Sequence, residues 1–174
     1  MSNKSLAKYT SDVDEHFFGA IGRLVISWAH LEFGLDCMVD ILYRGFKGNE
    51  IEPEMPRSLK RKIIFLRAAF KRLPIGDGIQ GYLIFFDRVL KASETRHDII
   101  HGVVVEQAER SGEATLVRFV KGQDGAEKRR INVTTVDILR AAKEAQELGG
   151  KALYWVDATN QFLQELVARP HSNW

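Results

Sequence analysis

One cysteine, Cys37, is present in the 174 residues of this chain. A single thiol excludes an internal disulfide framework and a zinc site built from cysteines, and it suits the reducing cytoplasm. The sequence also lacks any apolar run near the roughly 18 residues that span a bilayer. The stretch before Asp12 has no apolar core of the kind found in secretory signals. We therefore expect a cytoplasmic protein that does not enter a membrane.

A large excess of charge of one sign is also missing, because 25 basic and 23 acidic residues give a net charge of +2. Such a balance does not by itself indicate a nucleic-acid-binding protein. With 45% apolar and 28% charged residues, the composition is that of a globular protein. The length predicts a single domain over residues 1–174.

Four segments carry apolar residues at helical spacing, which predicts helices over residues 11–44, 57–73, 77–101 and 135–168. The main apolar stripe of the first helix contains Phe17, Ile21, Leu24, Trp28, Leu31, Leu35, Met38 and Leu42. A second apolar strip on another side of that helix contains Ile26, Phe33, Cys37 and Ile41. A helix that is apolar on two sides is either central in a bundle or contacts a partner subunit.

Local signals mark the ends of these helices. Gly102 suits the left-handed position that follows the third helix. Gly149 and Gly150 inside the last helix together cost about 2 kcal/mol of helix propensity against alanine, which predicts a kink or a break. Two pairs of residues fit capping boxes at helix starts, Ser11 with Asp14 and Thr134 with Asp137.

Between the third and last helices, the apolar period changes from helical to two, which predicts short strands over residues 103–105, 115–120 and 130–133. Residues 111–112 and 122–125 have the composition of the turns between them. The sequence therefore predicts a mainly α fold, an antiparallel bundle of four to five helices. A small antiparallel β-hairpin or meander is inserted at about residues 103–133.

Residues 76–81 match the pattern G-x-G-x-x-G. A dinucleotide site requires this loop to leave a buried strand within a βαβ unit. Here the loop follows a basic amphipathic helix, and no parallel-strand pattern comes after it. The sequence predicts a turn between helices at this position, and no cofactor.

Glu94, His97 and His101 fall within two turns of one helix face. Di-iron bundles use Glu-x-x-His but need a second copy, which this chain lacks. Zinc would need a further donor, for which the candidates are Glu32, Asp36 and His30. We expect no metal, and a metal-binding bundle remains an alternative.

The strongest functional signal is the segment at residues 96–102, at the end of the third helix. Arginine and histidine suit the negative end of a helix dipole, which is the purely structural interpretation. However, His97 continues the apolar stripe that carries Phe86, and Arg96 and His101 flank it about 140° apart on an ideal helix. A guanidinium and two imidazoles at a largely buried seam are costly without a partner, which indicates a functional site.

This segment resembles the R-x4-6-H signature of HEPN domains, in which a polar residue usually follows the arginine, as His97 follows Arg96. The resemblance implies a bundle of four or five helices with the motif near the end of the third main helix. Residues 28–33 on the first helix also look like segments of bacterial HEPN-like proteins. The resemblance covers about residues 12–102 and the chain beyond residue 135, and leaves out the insert.

The resemblance implies metal-independent RNA cleavage by a homodimer whose motifs face each other across a cleft. RNA carries its own nucleophile, the 2′-hydroxyl, so the enzyme needs to move protons and stabilise the phosphorane. On this basis we assign Arg96 to phosphate stabilisation, His101 to general acid–base catalysis, and His97 to orientation or polar support. A two-fold axis would bring Arg96 of one chain near His101 of the other. Glu32 is expected to pair with Arg96 or to tune the site.

Two basic stretches are expected to attract the RNA backbone. They contain Lys60, Arg61, Arg67 and Lys71 on the second helix and Lys128, Arg129 and Arg130 in the insert. The alternative interpretation is that both are ordinary solvated faces. Aromatic residues are not interleaved with these charges, so the sequence predicts no base-stacking surface.

The leading hypothesis is thus a HEPN-type endoribonuclease with a toxin or phage-defence role, the role of many relatives, controlled by an antitoxin or another regulatory protein. A non-catalytic HEPN-like homodimer that binds RNA, a nucleotide or a protein partner is the alternative. A helical bundle that binds a metal ion is the third hypothesis.

Overall fold

The computed structural model describes residues 15–107, 112–121 and 126–168. In chain order the elements are α1 (Glu15–Gly45), α2 (Leu59–Arg72), α3 (Ile79–His101), β1 (Val103–Gln107), β2 (Glu113–Lys121), β3 (Ala126–Thr134) and α4 (Thr135–Ala168). The fold is therefore mainly α with a small antiparallel sheet between α3 and α4, as predicted. No helix within the described residues is long and apolar enough to cross a bilayer.

The chain divides into two compact units. The first unit consists of Met1–Ser27 and Ala92–Glu144, and the second of Trp28–Lys91 and Ala145–Trp174. The long helices α1, α3 and α4 each contribute residues to both units. A single domain over residues 1–174 stays a prediction.

Helix α1 buries the apolar stripe predicted for it. Phe17, Leu24, Leu31, Leu35 and Leu42 are all almost inaccessible to solvent. The second strip is different, because Ile26 and Phe33 are each 61% exposed. The second strip is therefore not at the centre of a bundle within one chain, and contact with a partner subunit remains as its predicted role.

The start of α4 is the capping box that the sequence predicts. The backbone amide of Asp137 donates to the Thr134 hydroxyl at 3.1 Å, and the amide of Thr134 donates to the Asp137 carboxylate at 3.1 Å. These bonds satisfy two amides that the helix itself cannot pair. The other predicted capping box, at Ser11 and Asp14, lies outside the described residues.

Helix α4 is continuous through Gly149 and Gly150, so a break at these glycines is wrong, while a kink there stays a prediction. The reason is tight packing within the second unit. A Cβ added at Gly149 would lie 3.3 Å from the backbone nitrogen of Leu31, and one at Gly34 would lie 2.7 Å from the Cβ of Ala152. Glycine at these positions lets the two helices approach closely, and this packing offsets its low helix propensity.

The direction of the α1–α4 pair follows from these contacts. Leu31 lies next to Gly149, Gly34 next to Ala152, and further along Gly45 next to Leu163. Both helices advance together, so this pair packs parallel, and the antiparallel arrangement predicted for the whole bundle does not hold for it. Helices α3 and α4 also meet, because Phe85 and Tyr82 of α3 both contact Trp155 of α4.

Aromatic rings fill the centre of the second unit. The ring of Phe70 on α2 stacks on Tyr82 of α3 with centroids 4.0 Å apart, and Tyr82 in turn lies 4.2 Å from Trp155 of α4. Phe85 meets Trp155 edge to face at 4.8 Å. Offset and edge-on aromatic pairs add to the stabilisation that burial of their surface provides.

In the first unit, the insert is a three-stranded antiparallel meander in the order β1-β2-β3. The strands are longer than predicted, and Val105 is an extra residue in the β1–β2 pairing, where the register shifts. Gly102 is not left-handed, contrary to its predicted role. A Cβ at Gly102 would lie 2.8 Å from the Leu116 Cβ, so this glycine permits β2 to pass close to the end of α3.

The G-x-G-x-x-G segment forms a short 3-10 turn, Gly76–Gly78, followed by the start of α3. Gly76 adopts a positive φ of 57°. This is the inter-helix turn predicted from the sequence, and the sheet in the described residues has no parallel pair.

Candidate functional site

The last turns of α3 bring Arg96 and His101 together within one chain. Their closest nitrogens, Nη1 of Arg96 and Nε2 of His101, are 3.4 Å apart. A guanidinium can only donate, so this contact requires Nε2 to carry a lone pair, with the ring proton on Nδ1. The two residues meet within one chain because the long arginine side chain spans the angle between them. An approach of Arg96 in one chain to His101 in another stays a prediction.

His97 lies beside His101, with ring centroids 4.4 Å apart. Both imidazoles are exposed, while Arg96 is half-buried. The prediction that His97 sits on a buried seam is therefore wrong, and so is the argument from the cost of burying it. The buried residues near this end of α3 are Asp98 and Ile99. On an ideal helix, Ile99 lies about 140° from Phe86, so the buried side of α3 changes along its length.

The pKa of His97 is lowered from the ordinary value of 6.5. Desolvation is the largest cause, followed by the positive charges of Arg118, His101 and Arg96, while Asp98 acts in the opposite direction. Both effects disfavour the imidazolium form. His97 is thus held in its neutral form at neutral pH, which leaves a ring nitrogen able to accept a proton or a hydrogen bond.

Asp98 joins the helix end to the insert through two ion pairs. Its carboxylate lies 3.1 Å from Nη1 of Arg118 on β2 and 3.2 Å from Nη2 of Arg129 on β3. Arg118 and Arg129 are direct cross-strand partners. Like charges in that position repel, and one shared carboxylate between them offsets the repulsion.

The ion pairs differ in their surroundings. Asp98 and Arg118 side chains are only 12% and 15% exposed, whereas that of Arg129 is 55% exposed. Arg96, Arg118 and Arg129 thus contribute three guanidinium groups to this cluster against the one carboxylate of Asp98, so these four side chains carry a net positive charge. Such a cluster suits an anionic ligand.

Sequence reasoning missed Asp98 and Arg118. Asp98 stands inside the motif, but nothing near it in sequence indicates that its partners lie 20 and 31 positions further along the chain. The one available signal is alternation in β2, where Arg118 shares the side of the strand that carries Ala114 and Leu116. A charged residue at an apolar position indicates a buried partner.

The run Lys128-Arg129-Arg130 does not form one basic surface. Arg129 faces Asp98, while Lys128 and Arg130 lie on the opposite side of the sheet because neighbours in a strand alternate. Arg130 pairs with Glu106 of β1 at 3.0 Å. Of the three residues predicted to bind RNA here, two share a face.

The basic residues predicted on α2 lie in the second unit. Arg61 donates to Glu52 and Arg67 pairs with Asp87 at 2.5 Å, while Lys60 and Lys71 are exposed. The positive charge of this face is therefore reduced by local carboxylates. Residues 60 and 71 keep the predicted role of attracting phosphate.

Glu32, predicted to support the site, is half-exposed on α1 in the second unit. Its pairing with Arg96 stays a prediction. Among residues 15–107, 112–121 and 126–168, no group of three or more histidine, cysteine, aspartate or glutamate side chains is arranged to hold a metal ion. The metal-binding alternative thus lacks a ligand set in the described part of the chain.

Comparison of the chain with protein-family models, curated proteins and solved structures gives no match. The resemblance to HEPN domains therefore rests on the sequence motif alone and stays a prediction.

Proposed function

We propose that this protein is a metal-independent endoribonuclease of the HEPN type, with Arg96 and His101 as its catalytic residues. The observation that carries the proposal is their contact, 3.4 Å between Arg96 Nη1 and His101 Nε2, with the imidazole exposed to solvent. A phosphate binder and a proton acceptor are thus adjacent, which is the combination that RNA cleavage requires.

In the proposed reaction, the Arg96 guanidinium turns from Nε2 of His101 to the phosphate, and the lone pair that this frees on Nε2 takes the proton from the 2′-hydroxyl of RNA. The 2′-oxygen attacks the neighbouring phosphorus, and the bond to the 5′-oxygen breaks. The leaving 5′-oxygen takes a proton from water and His101 returns its proton to water, so the products are a 2′,3′-cyclic phosphate and a 5′-hydroxyl. The Arg96 guanidinium stabilises the charge on the phosphorane. His97, neutral and 4.4 Å from the His101 ring, orients its neighbour or the substrate.

A homodimer is part of the proposal. The exposed apolar residues Phe18, Val25 and Ile26 on α1 would bury their surface against a second copy. Because Arg96 and His101 already meet within one chain, dimerisation would bring two complete pairs together rather than assemble one.

We propose a biological role as a toxin or phage-defence effector whose activity an antitoxin or other regulatory protein restrains. The second candidate function is a non-catalytic dimer that binds RNA, a nucleotide or a protein. The observation that favours this candidate is the engagement of Asp98, Arg118 and Arg129 in ion pairs that join helix and sheet, which gives the cluster a structural role as well.

The test is incubation of purified protein with single-stranded RNA in excess EDTA, with analysis of the product ends. Cleavage that leaves 2′,3′-cyclic phosphate supports the proposal, and both Arg96→Ala and His101→Ala should abolish it. The matched control is Arg140→Ala, which removes an exposed arginine on α4 that pairs with Asp137 three residues away. Full cleavage by the His101 variant would refute the assignment of the catalytic residue.

A further inference from the structure

The insert has an outer face, defined by residues that point away from Asp98. The register places Phe119 directly opposite Lys128, and Val117 directly opposite both Arg130 and Val103. Directly opposed residues of antiparallel strands project to the same side of the sheet. An aromatic ring, two cations and Val103 are thus exposed on the outer face, while Val117 on the same side is buried. The aromatic ring and the cations come from different strands.

The ion pairs on the other side fix which residues are outside. Arg118 is held against Asp98, so its neighbour Phe119 must project outward. If β2 shifted its register by one residue, Phe119 would turn inward and both ion pairs of Asp98 would be lost. The shifted register is therefore unfavourable.

Phe119 is 72% exposed, more than any other described large apolar residue. Lys128 and Arg130 are exposed as well. Arg130 pairs with Glu106, and the register places a second carboxylate, that of Glu113, on the same side at the other end of β2. An exposed aromatic ring can stack on a base, and neighbouring cations can bind the phosphates on either side of that base. Single-stranded nucleic acid presents both groups in turn along its backbone. A duplex would not expose its base faces to such a ring.

We propose that the outer face binds single-stranded RNA, with one base stacked on Phe119 and adjoining phosphates on Lys128 and Arg130. The identity of the polymer rests on the proposed function, whereas the surface itself is independent of the catalytic pair. The ion pairs of Asp98 attach this sheet to α3. RNA bound on the outer face would therefore be bound to a sheet that is attached to the helix carrying Arg96 and His101.

The experiment measures binding of a short fluorescein-labelled 2′-O-methyl oligoribonucleotide by anisotropy. This probe lacks the nucleophilic hydroxyl, so cleavage cannot alter the result. Phe119→Ala should weaken binding about tenfold, since loss of one base–aromatic stack has that magnitude. Phe119→Tyr should retain affinity. The matched control is Tyr154→Ala, which removes a ring that is 69% exposed on α4 and should leave binding unchanged.

Two charge variants test the surface in opposite directions. Lys128→Gln should weaken binding and lower the dependence on salt by about one phosphate contact. Glu106→Gln releases Arg130 from its ion pair and should strengthen binding a few-fold. The inference is overturned if Phe119→Ala binds like the wild type, if Tyr154→Ala loses as much affinity, or if duplex RNA binds as tightly as single-stranded RNA. It is also overturned if Phe119→Ala changes only self-association.

The two proposals fail separately. If the wild type binds the probe through Phe119 but does not cleave unmodified RNA, the catalytic proposal is refuted and the binding surface stands. If the wild type cleaves RNA in EDTA while all Phe119 variants bind the probe equally, the surface is refuted and the catalytic proposal stands.

Discussion

The carboxylate of Asp98 lies 3.1 Å from the guanidinium of Arg118, and both side chains are mostly buried. Asp98 comes from the last turn of α3 and Arg118 from the middle strand of the insert. Ion pairs of this kind contribute little net stability, but losing one partner leaves an uncompensated charge out of water. The contact therefore matters most as a constraint on where the sheet sits against the helix end.

Asp98→Asn should lower the free energy of unfolding by about 3 kcal/mol, because Arg118 would keep its charge without a counter-ion. Urea denaturation monitored by circular dichroism measures the change. Asp87→Asn is the matched control, since Asp87 pairs with Arg67 but is 69% exposed, and its loss should cost less than about 1 kcal/mol. Equal effects of the two variants would show that burial of Asp98 has no energetic consequence.

Gly34→Ala and Gly150→Ala should have opposite effects on stability. A methyl group at Gly34 would meet the Ala152 Cβ at 2.7 Å, so the helices must separate and stability falls. Gly150 has no neighbour within 4 Å, and alanine there should stabilise the protein by about 0.5–1 kcal/mol through helix propensity. The thermal unfolding midpoints of the two variants are compared with that of the wild type. A midpoint below the wild type for Gly150→Ala would contradict the prediction that this position has room for a methyl group.

Thr134→Ala should cost about 1 kcal/mol of stability, because the amide of Asp137 loses its acceptor at the start of α4. Glu147→Ala, at an exposed position within the same helix, serves as control and should change stability by less than about 0.5 kcal/mol. The capping bonds from Thr134 also lower the pKa of Asp137 below its ordinary value of 3.8. The stability that this carboxylate contributes is present above that value and is lost as the pH falls through the folded-state pKa.

His97 should make the protein less stable in mild acid. Its folded-state pKa is lowered from 6.5, so the unfolded chain takes up the proton first as the pH falls. Stability attributable to neutral His97 is thus present above pH 6.5 and is lost as the pH falls through the lower folded-state pKa. His97→Gln should flatten this part of the curve of unfolding free energy against pH. Curves of the same shape for the variant and the wild type would exclude His97 as the cause.

Helix positions and the insert could be predicted from the sequence because both depend on local periodicity. The stripe from Phe17 to Leu42 determines where α1 lies, and the buried residues follow it closely. Periodicity gives the wrong burial for His97. A stripe continued from Phe86 along α3 assumes that the same side of the helix is buried over its whole length. The end of α3 has a different buried side, where Ile99 is 5% exposed and Gly102 contacts Leu116 of the sheet.

For the candidate site, the sequence could predict the residues on α3 but not their partners in the sheet. Arg96, His97 and His101 were identified from spacing, but ideal helix angles ignore side-chain length, so their contact within one chain was missed. The outer face was missed for a related reason. Phe119 and Lys128 are neighbours because β2 and β3 pair with this register. The sequence of one strand alone does not specify how it pairs with the next.

The pairing of α1 with α4 joins residues that lie far apart in the sequence, which has a consequence for synthesis of the protein. Gly34 cannot contact Ala152 until the whole of the intervening chain has left the ribosome. Until then the residues of α1 that end up covered, Leu31 and Leu35 among them, have no native neighbour from α4 and are open to chaperones and to association with other nascent chains.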